Sequence, residues 1–399
     1  MLVAGGLAVA LVTGGGGGGA DRAPAAGSSG AVKRSNCDRT AATPVVLEQE
    51  LVDARKGDTI CLAAGNYGTF RGAAKPGMVT IRPKPGARAR MALDLDGAMN
   101  LRIEKLTIPS ANIRGAARNI TIADSRFTGI TVVNADQMAD AHILFDGNTH
   151  SNIDTCKTCF QGRLSVEGDS GKPSGVTIRD SLFSGGNSDG VRADAHGVNV
   201  IGNEFRNLRD QDPFHTDPIQ IYGGKRVVIR GNYFHDNEVS AAIMMANGGT
   251  KNLVEDNVVA AGGQTWAMTW ISDDGSVIRH NTFADGTCDF GQRCGVINLG
   301  AVDSPPPGRP TIIRSNVLGG ISNDGNGGEA AFVAQHNLSA EPISGSGNLT
   351  GLPRYAGPGD GYDGHRLAKG SLGAGDAPDG SDVGIERGGG KWERDAREQ

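Results

Sequence analysis

Aromatic residues are scarce in this chain, and so is any excess of positive charge. Aromatic side chains make up 5% of the 399 residues, whereas glycine reaches 62 residues, which argues against a globule of many packed helices. The charged residues, 21% of the chain, sum to a net charge of −5. Because no basic stripe is available to neutralise phosphates, we expect no nucleic-acid partner. An all-β protein with one continuous core can reach this length as a single domain.

Long hydrophobic runs are missing as well. The apolar run that starts at Met1 covers about twelve residues, too few to cross a bilayer but enough for the hydrophobic part of a secretory signal. Residues 1–36 then become Gly-, Ala- and Ser-rich, and we exclude them from the fold as a signal-like segment and linker. Because a basic start is missing, either translation begins further upstream or this segment is a lipid-free tether. We expect a secreted, periplasmic or cell-surface protein without stable membrane insertion, ending in a charged tail at 387–399.

Cysteines are few but even in number, which is typical of exported proteins with disulfides. Two close pairs among them suggest loop staples, and the remaining two would tie the start of the fold to its first coil. The competing interpretation of the "CKTC" segment is a redox or zinc site, although the second close pair lacks the matching spacing. The predicted disulfides are Cys37–Cys61, Cys156–Cys159 and Cys288–Cys294.

The chain does contain a repeat. A small polar residue recurs at steps of 22 to 35 residues from position 181 onward, and an apolar residue stands two positions after it. Steps of this length fit one turn of a solenoid with loops of varying size. The polar column is Ser125, Asn148, Ser181, Asn203, Asn232, Asn257, Asn281 and Asn316, and the apolar column is Phe183, Phe205, Phe234, Val259, Phe283 and Leu318.

Each repeat alternates apolar and polar residues at period two and then bends at the small polar residue. About three short strands per unit, with no helical segment between units, exclude leucine-rich and ankyrin-type arrays. The pattern predicts an all-β, single-stranded, right-handed parallel β-helix over residues 37–386. Asparagine suits the bend because it tolerates left-handed backbone and can bond the next coil, so we expect an asparagine ladder beside a stack of phenylalanines.

This pattern resembles the pectate-lyase-like superfamily of carbohydrate-active right-handed β-helices over roughly residues 40 to 386. The segment "LVDARKGDTICLAAGNYGTF" is similar to the opening of the alginate lyase and chondroitinase B group, where an amphipathic N-terminal cap precedes the first strands. The segment "LAKGSLGAGDAPDGSDVGIE" resembles the closing coil of such proteins. The resemblance implies the fold and a polysaccharide partner for a monomeric protein, but neither segment is catalytic.

In that superfamily the strand after the longest, most variable loop lines the substrate groove. Here "DGVRADAHG", "DPIQIYGGK", "AIMMANGGT" and "AMTWISDDG" would occupy this strand in successive coils. Alternation buries one set of side chains and turns the other toward the groove. The expected buried set is Val191, Ala193, Ile219 and Ile221; the expected outward columns place Arg192 on Gln220 and Met245, Asp194 on Tyr222 and Asn247, and Asp189 on Asp217.

The polar side chains of this strand fit β-elimination on a uronic-acid polysaccharide. His215 has a reference pKa near neutrality that suits a general base, and Asp217 would orient it, so activity should rise with pH around 6 to 7. Arg192 would neutralise the substrate carboxylate. Tyr222 would donate or shuttle a proton. The expected substrate-binding residues are Gln220, Asp194, Asn247, Lys225 and Trp266, and Asp189, Asp194 and Asp217 could instead hold a calcium ion that takes over neutralisation.

Other functions stay open at this point. A glycoside hydrolase would use two carboxylates among the groove aspartates, Asp212 included. The "DPFH" segment is similar to the Asp-Pro-His-Asp motif of mannuronan C5-epimerases, except that Phe214 separates the proline from the histidine. A non-catalytic polysaccharide-binding or surface protein is a third possibility, because outward polar residues of β-helices are often only solvated. Away from the groove, His150, His235 and His280 are expected to be structural or surface residues, and Trp270 either core or a sugar platform.

Overall fold

The computed structural model describes residues 37–154, 162–210, 215–260, 262–284, 293–301, 308–325, 328–357, 359 and 361–386. The signal-like segment 1–36, the tail 387–399, Asp212 and the side chains of the cysteines from Cys156 onward lie outside the described residues. The domain boundaries and two of the three disulfides therefore stay predictions. Within the described ranges, no helix has the length and apolar character needed to span a membrane.

The described residues wind into coils whose strands stack in parallel on three faces. The first stack holds the strand that precedes the bend in each coil. Its thirteen described strands are Arg39–Ala41, Thr59–Leu62, Ala74–Pro83, Met99–Glu104, Arg118–Ala123, Ile143–Asp146, Val176–Arg179, Asn199–Ile201, Val228–Arg230, Leu253–Glu255, Val277–Arg279, Thr311–Arg314 and Phe332–Gln335.

The strand that follows the bend forms the second face, here called the ladder stack. Its strands in the described chain are Thr107–Ile108, Arg126–Phe127, Thr149–Ser151, Leu182–Ser184, Glu204–Arg206, Tyr233–His235, Val258–Val259, Thr282–Phe283, Val317–Leu318, Leu338–Ser339 and Leu349–Thr350.

The third face is the groove stack, which follows the ladder stack in each coil. Its strands, again counted over the described residues, are Gly65–Phe70, Ala89–Asp96, Ala111–Arg114, Thr131–Asn134, Leu164–Glu167, Val191–Ala193, Ile219–Ile221, Ala241–Met245, Trp266–Ile271, Arg293–Gly300 and Gly320–Gly325. A short pair, Gly249–Thr250 with Asp273–Asp274, joins two turns outside these stacks.

The asparagine ladder is confirmed. The side-chain oxygen of Asn232 accepts the backbone N–H of Asn203 at 2.9 Å, and its Nδ2 donates to the carbonyl of Val200 at 2.9 Å. The bond from a backbone N–H to the side-chain oxygen of the next ladder residue recurs from Ser125 onward. It extends past the predicted column to Asn337 and Asn348. Each ladder residue thus satisfies backbone groups of the neighbouring coil at a buried bend.

The predicted reason for asparagine at the bend is wrong in one respect. Left-handed backbone is adopted by the residue before the ladder residue, for example Gly231 at φ 64°, Asp256 at φ 54° and His280 at φ 52°. Because that residue makes the turn, the asparagine that follows is free to direct its side chain along the stack. The sequence pattern had assigned both the left-handed turn and the hydrogen bond to the asparagine, whereas the structure gives the turn to the residue before it.

A column of aromatic rings fills the core next to the ladder. His150 stacks between Phe127 and Phe183 with ring centroids 4.3 and 4.6 Å apart, and the column continues through Phe205 and Phe234. Burial lowers the pKa of His150 to about 3, so this ring stays neutral inside the apolar stack. His150 is therefore a structural residue, as expected.

The two ends of the solenoid differ. At the start, the helix Pro44–Asp53 is capped by the Thr43 side chain and buries Leu47 and Leu51, and the disulfide Cys37–Cys61 is confirmed. At the other end, the segment that resembles a closing coil forms turns rather than a further strand within residues 361–386. It packs back on the ladder stack, where the Ile385 amide donates to Thr282 Oγ1 at 3.2 Å.

Candidate functional site

The candidate site lies on the groove stack, where Val191–Ala193, Ile219–Ile221 and Ala241–Met245 are neighbouring strands. Arg192 stands opposite Gln220, as predicted, and the expected interior residues of the first two strands are buried. The third strand is out of the predicted register by one residue: Gln220 faces Met244, and Met245 is buried. The run Ala-Ala-Ile-Met-Met is apolar throughout, so alternation could not fix its phase.

That shift also moves Asn247 out of the predicted column. The amide of Ala246 pairs with the carbonyl of Ile221, which aligns Ala246 rather than Asn247 with Tyr222. Asn247 lies exposed in the turn after the strand. The predicted stacking of Asn247 on Tyr222 is therefore wrong.

A short hydrogen bond joins His215 and Asp217. His215 Nδ1 lies 2.7 Å from Asp217 Oδ2, with the imidazole 47% exposed and the carboxylate completely buried. Gln220 Nε2 donates to the same oxygen at 3.3 Å, and the amide of Ala241 donates to Oδ1 at 3.2 Å. The carboxylate is thus fixed from two coils, and it holds one edge of an imidazole whose other edge reaches the groove.

Asp189 lies beside Asp217 in the preceding coil and is only partly buried. Its Oδ1 accepts the Asp217 amide at 2.9 Å, and the Gly190 amide donates to the Asp217 carbonyl at 3.0 Å. These bonds confirm that Asp189 and Asp217 stack on neighbouring coils, but the prediction that Asp217 points outward is wrong, because its side chain is completely buried. Residues 215 to 217 are tied further by Thr216, whose amide donates to Asp210 Oδ1 at 2.6 Å and whose hydroxyl donates to the Asn187 carbonyl at 2.7 Å.

Negative charge accumulates around the imidazole. The hydrogen bond from Asp217 raises the pKa of His215 to about 9, with Asp189 and Asp210 adding to the effect. Burial, and then the nearby Asp217, raise the pKa of Asp189 to about 7. Burial also raises the pKa of Asp210. These shifts move the pKa of His215 above the expected range of 6 to 7, because the hydrogen bond to Asp217 and the nearby Asp189 and Asp210 favour the charged imidazole.

Arg192, Asp194 and Tyr222 form a second group on the same face. Arg192 Nη2 donates to Asp194 Oδ2 at 2.8 Å, and its guanidinium carbon lies 5.4 Å from the centre of the Tyr222 ring. The Tyr222 amide donates to Asp194 Oδ1 at 2.9 Å, which confirms that these two residues are neighbours. Tyr222 is 39% exposed.

The predicted calcium site is not formed. Asp194 is turned to Arg192 and the Tyr222 amide, whereas Asp217 is turned to His215, so the three carboxylates do not converge. In the part of the chain that the structure describes, no group of three or more His, Cys, Asp or Glu side chains is arranged to hold a metal ion.

The remaining expected residues are spread around this centre. Trp266 is half-buried and lies opposite Ala241 on the next strand of the groove stack. The Ala241 amide is the group that donates to Asp217. Trp270 is buried in the core, which excludes it as a sugar platform. Lys225 is exposed in the turn after Ile219–Ile221. Asp210 and the buried Arg163 were missed by the sequence analysis, since neither belongs to a repeated column.

The stacked parallel strands and the asparagine ladder define a right-handed parallel β-helix, and a family model agrees with this fold. The model described as "Right handed beta helix region" matches residues 110–283 and 164–333. These matches span more than half of the chain, which therefore belongs to this family of right-handed β-helix proteins. No curated protein matches the chain in a sequence search.

Three solved structures illustrate the likeness. A PL6 family alginate lyase has a TM-score of 0.50 and 14% identity, over 85% of this chain and 58% of that one. A PL6 family polysaccharide lyase from Pseudopedobacter saltans gives 0.49 and 11%, over 88% and 97%. The A-module of a mannuronan C-5 epimerase from Azotobacter vinelandii gives 0.35 and 15%, over 74% and 89%. At these identities the likeness concerns the fold, and the chain spans little more than half of the alginate lyase.

Proposed function

We propose that this protein is exported and cleaves a uronic-acid-containing polysaccharide by β-elimination. The observation that carries the proposal is the His215–Asp217 pair, in which a buried carboxylate orients a half-exposed imidazole. Arg192 stands one strand away, opposite the Gln220 that also bonds Asp217. A base and a cation on one groove face are the two groups that elimination next to a carboxylate requires.

The pair leaves one nitrogen for the chemistry. With Nδ1 donating to Asp217, Nε2 of neutral His215 is the basic nitrogen and removes the proton at C5. The electron pair of that C–H bond first spreads into the carboxylate, where Arg192 stabilises the enolate charge. It then forms the C4–C5 double bond as the C4–O bond breaks, and Tyr222 supplies the proton to the leaving oxygen.

The pH dependence follows from the electrostatics. Asp217 raises the pKa of His215 to about 9, so the imidazole is charged at neutral pH and becomes a base only as the pH increases. We therefore expect kcat/KM in the free enzyme to rise with pH until His215 loses its proton.

The hydrolase alternative receives less support from the described residues. Asp217 is completely buried and bonded to His215, so it cannot flank a glycosidic bond as one member of an acid and base pair with Asp189. An epimerase would share the first proton transfer with the lyase and differ only in how the enolate is protonated. The products therefore distinguish the two activities.

The test uses the full chain with alginate, polygalacturonate and a glucuronate polymer. A lyase produces ultraviolet absorbance from the new double bond, a hydrolase produces reducing ends without it, and an epimerase changes the uronate composition without cleavage. His215→Ala should abolish the absorbance, whereas His235→Ala is the matched control, because His235 pairs with Asp236 and Glu204 on the ladder stack. Unchanged turnover in His215→Ala would refute the assignment.

A further inference from the structure

One cation lies inside the solenoid next to the candidate site, and the mechanism above does not use it. The side chain of Arg163 is completely buried. It donates to the carbonyl oxygens of Ser184 at 3.0 Å, His150 at 3.2 Å and Ser188 at 3.3 Å, and also to that of Gly185. Among the described residues its hydrogen-bond partners are all backbone carbonyls, and the carboxylates of Asp154 and Asp189 act on its charge only through space.

Three of these carbonyls belong to one turn. Residues 184 to 188 connect the ladder strand Leu182–Ser184 to the groove strand of the same coil, and Asp189 follows the turn directly. The fourth carbonyl, that of His150, belongs to the preceding ladder strand. The guanidinium therefore clamps the turn before Asp189 against the coil below it.

The backbone continues the connection into the site. The Arg163 amide donates to the Asp189 carbonyl at 2.8 Å, and Asp189 Oδ1 accepts the Asp217 amide at 2.9 Å. The carbonyl of Asn187, in the clamped turn, accepts the Thr216 hydroxyl at 2.7 Å. A displacement of this turn would therefore move both residues that follow His215.

Burying an arginine in this way is unfavourable unless its donors are used. Burial lowers the pKa of Arg163 to about 10, which reflects the cost of keeping the charge away from water. An apolar residue of similar size would avoid that cost but would leave several turn carbonyls without a donor. The planar fork satisfies carbonyls in different directions at once, which the single ammonium of lysine does less completely.

We propose that Arg163 is a positioning residue, which holds the turn at residues 184–188 so that Asp189, and through it Asp217 and His215, keep the geometry needed for catalysis. The kinetic part of this inference rests on the proposed function, whereas its structural part does not. Arg163 itself is too deeply buried to touch a substrate in the groove.

The kinetic test compares Arg163→Met and Arg163→Lys with Arg179→Met. Arg179 is the matched control because it is half-buried and paired with Asp146 on the first stack, on a different face of the solenoid. Arg163→Met should lower kcat by about tenfold or more with KM changed by less than about twofold, since no substrate contact is lost. Arg163→Lys should recover part of the loss. The proposal is overturned if Arg163→Met and Arg179→Met lower kcat equally.

An exchange experiment tests the positioning without any activity. Amide hydrogen exchange at Gly190 and Asp217 should become about tenfold faster or more in Arg163→Met, while first-stack amides keep their protection. Equal acceleration throughout the molecule would show a general loss of stability and would overturn the proposal. If Arg163→Met does not fold, Arg163→Lys is measured in the same way and must show faster exchange than the wild type at Gly190 and Asp217 with unchanged first-stack amides; an increase throughout the molecule would overturn the proposal. If the wild type cleaves no polymer, the proposed function fails and the exchange result alone decides the positioning role.

Discussion

Replacing Asp256 by asparagine should stabilise the protein at alkaline pH. Asp256 occupies the left-handed bend before the ladder residue Asn257, with φ 54°, and asparagine tolerates that conformation. Its Oδ1 is shielded from solvent and has no hydrogen-bond partner among the residues that the structure describes. The substitution therefore removes a poorly solvated charge without changing the size of the side chain or straining the backbone.

The magnitude follows from the shifted titration. Burial, followed by Glu255 and Glu386, raises the pKa of Asp256 from 3.8 to about 7, although Arg230 and Arg279 oppose the shift. A carboxyl group with a raised pKa in the folded state favours folding when protonated. That contribution is complete below pH 3.8 and is lost progressively as the pH rises through about 7. A shift of this size corresponds to at most about 4 kcal/mol, and residual solvent around the half-buried residue reduces the expected gain to about 1–2 kcal/mol.

Urea unfolding of the wild type and Asp256→Asn at pH 5 and pH 8 measures this gain. We expect the variant to be more stable by about 1–2 kcal/mol at pH 8 and by distinctly less at pH 5, where most of the wild-type carboxyl group is protonated. Asp124→Asn is the matched control, because Asp124 occupies the same bend position, with φ 48°, but is exposed. It should change the free energy of unfolding by less than about 0.5 kcal/mol at either pH.

Two outcomes would refute the reasoning. If Asp256→Asn gains nothing at pH 8, the carboxylate is better solvated or better paired than its surroundings indicate. If the gain is the same at pH 5 and pH 8, it does not come from the titration of Asp256.

Three other results are expected. Asn257→Leu should lower the free energy of unfolding by roughly 3 kcal/mol, because the Asn232 amide and the Ile229 carbonyl lose buried partners; an unchanged urea midpoint would contradict the ladder. Cys37→Ser should lower the free energy of unfolding by about 3 kcal/mol in the same assay, because the disulfide closes a loop of 24 residues. If the wild type is equally stable in its oxidised and reduced forms, the disulfide contributes nothing. Arg192→Lys should lower kcat in steady-state kinetics, because the guanidinium that stabilises the enolate is replaced by a single ammonium, and should also raise KM through weaker binding of the substrate carboxylate; unchanged kcat and KM would exclude that role.

The ladder could be predicted because the spacing of its residues repeats along the sequence. The spacing of Asn203, Asn232 and Asn257 repeats once per coil, and a ladder bond needs only that the bends of neighbouring coils coincide. Period-two alternation likewise placed Ile219 and Ile221 in the core. Where a strand carried no alternation, as in Ala241–Met245, the same method misplaced the register by one residue.

The candidate site could be predicted only in part. The sequence brought His215, Asp217 and Arg192 to one face, because neighbouring strands of a solenoid stack side chains in columns. It did not show that Asp217 is completely buried or that Asp210 reaches the Thr216 amide from the same loop. Both facts depend on how loops of unequal length fold back, and loop length alone does not determine that.

The amino-acid sequence by itself therefore determined the β-helix, the bends and the composition of the groove, because each rests on a pattern that one coil repeats in the next. Only the tertiary structure showed which carboxyl groups lie near His215 and that Arg163 is buried among backbone carbonyls. A pKa depends on the charges and solvent within a few ångströms in space, and those around His215 come from Asp189, Asp210 and Asp217 on two successive coils. The carbonyls that hold Arg163 likewise come from two coils, so no single repeat contains the information that places it.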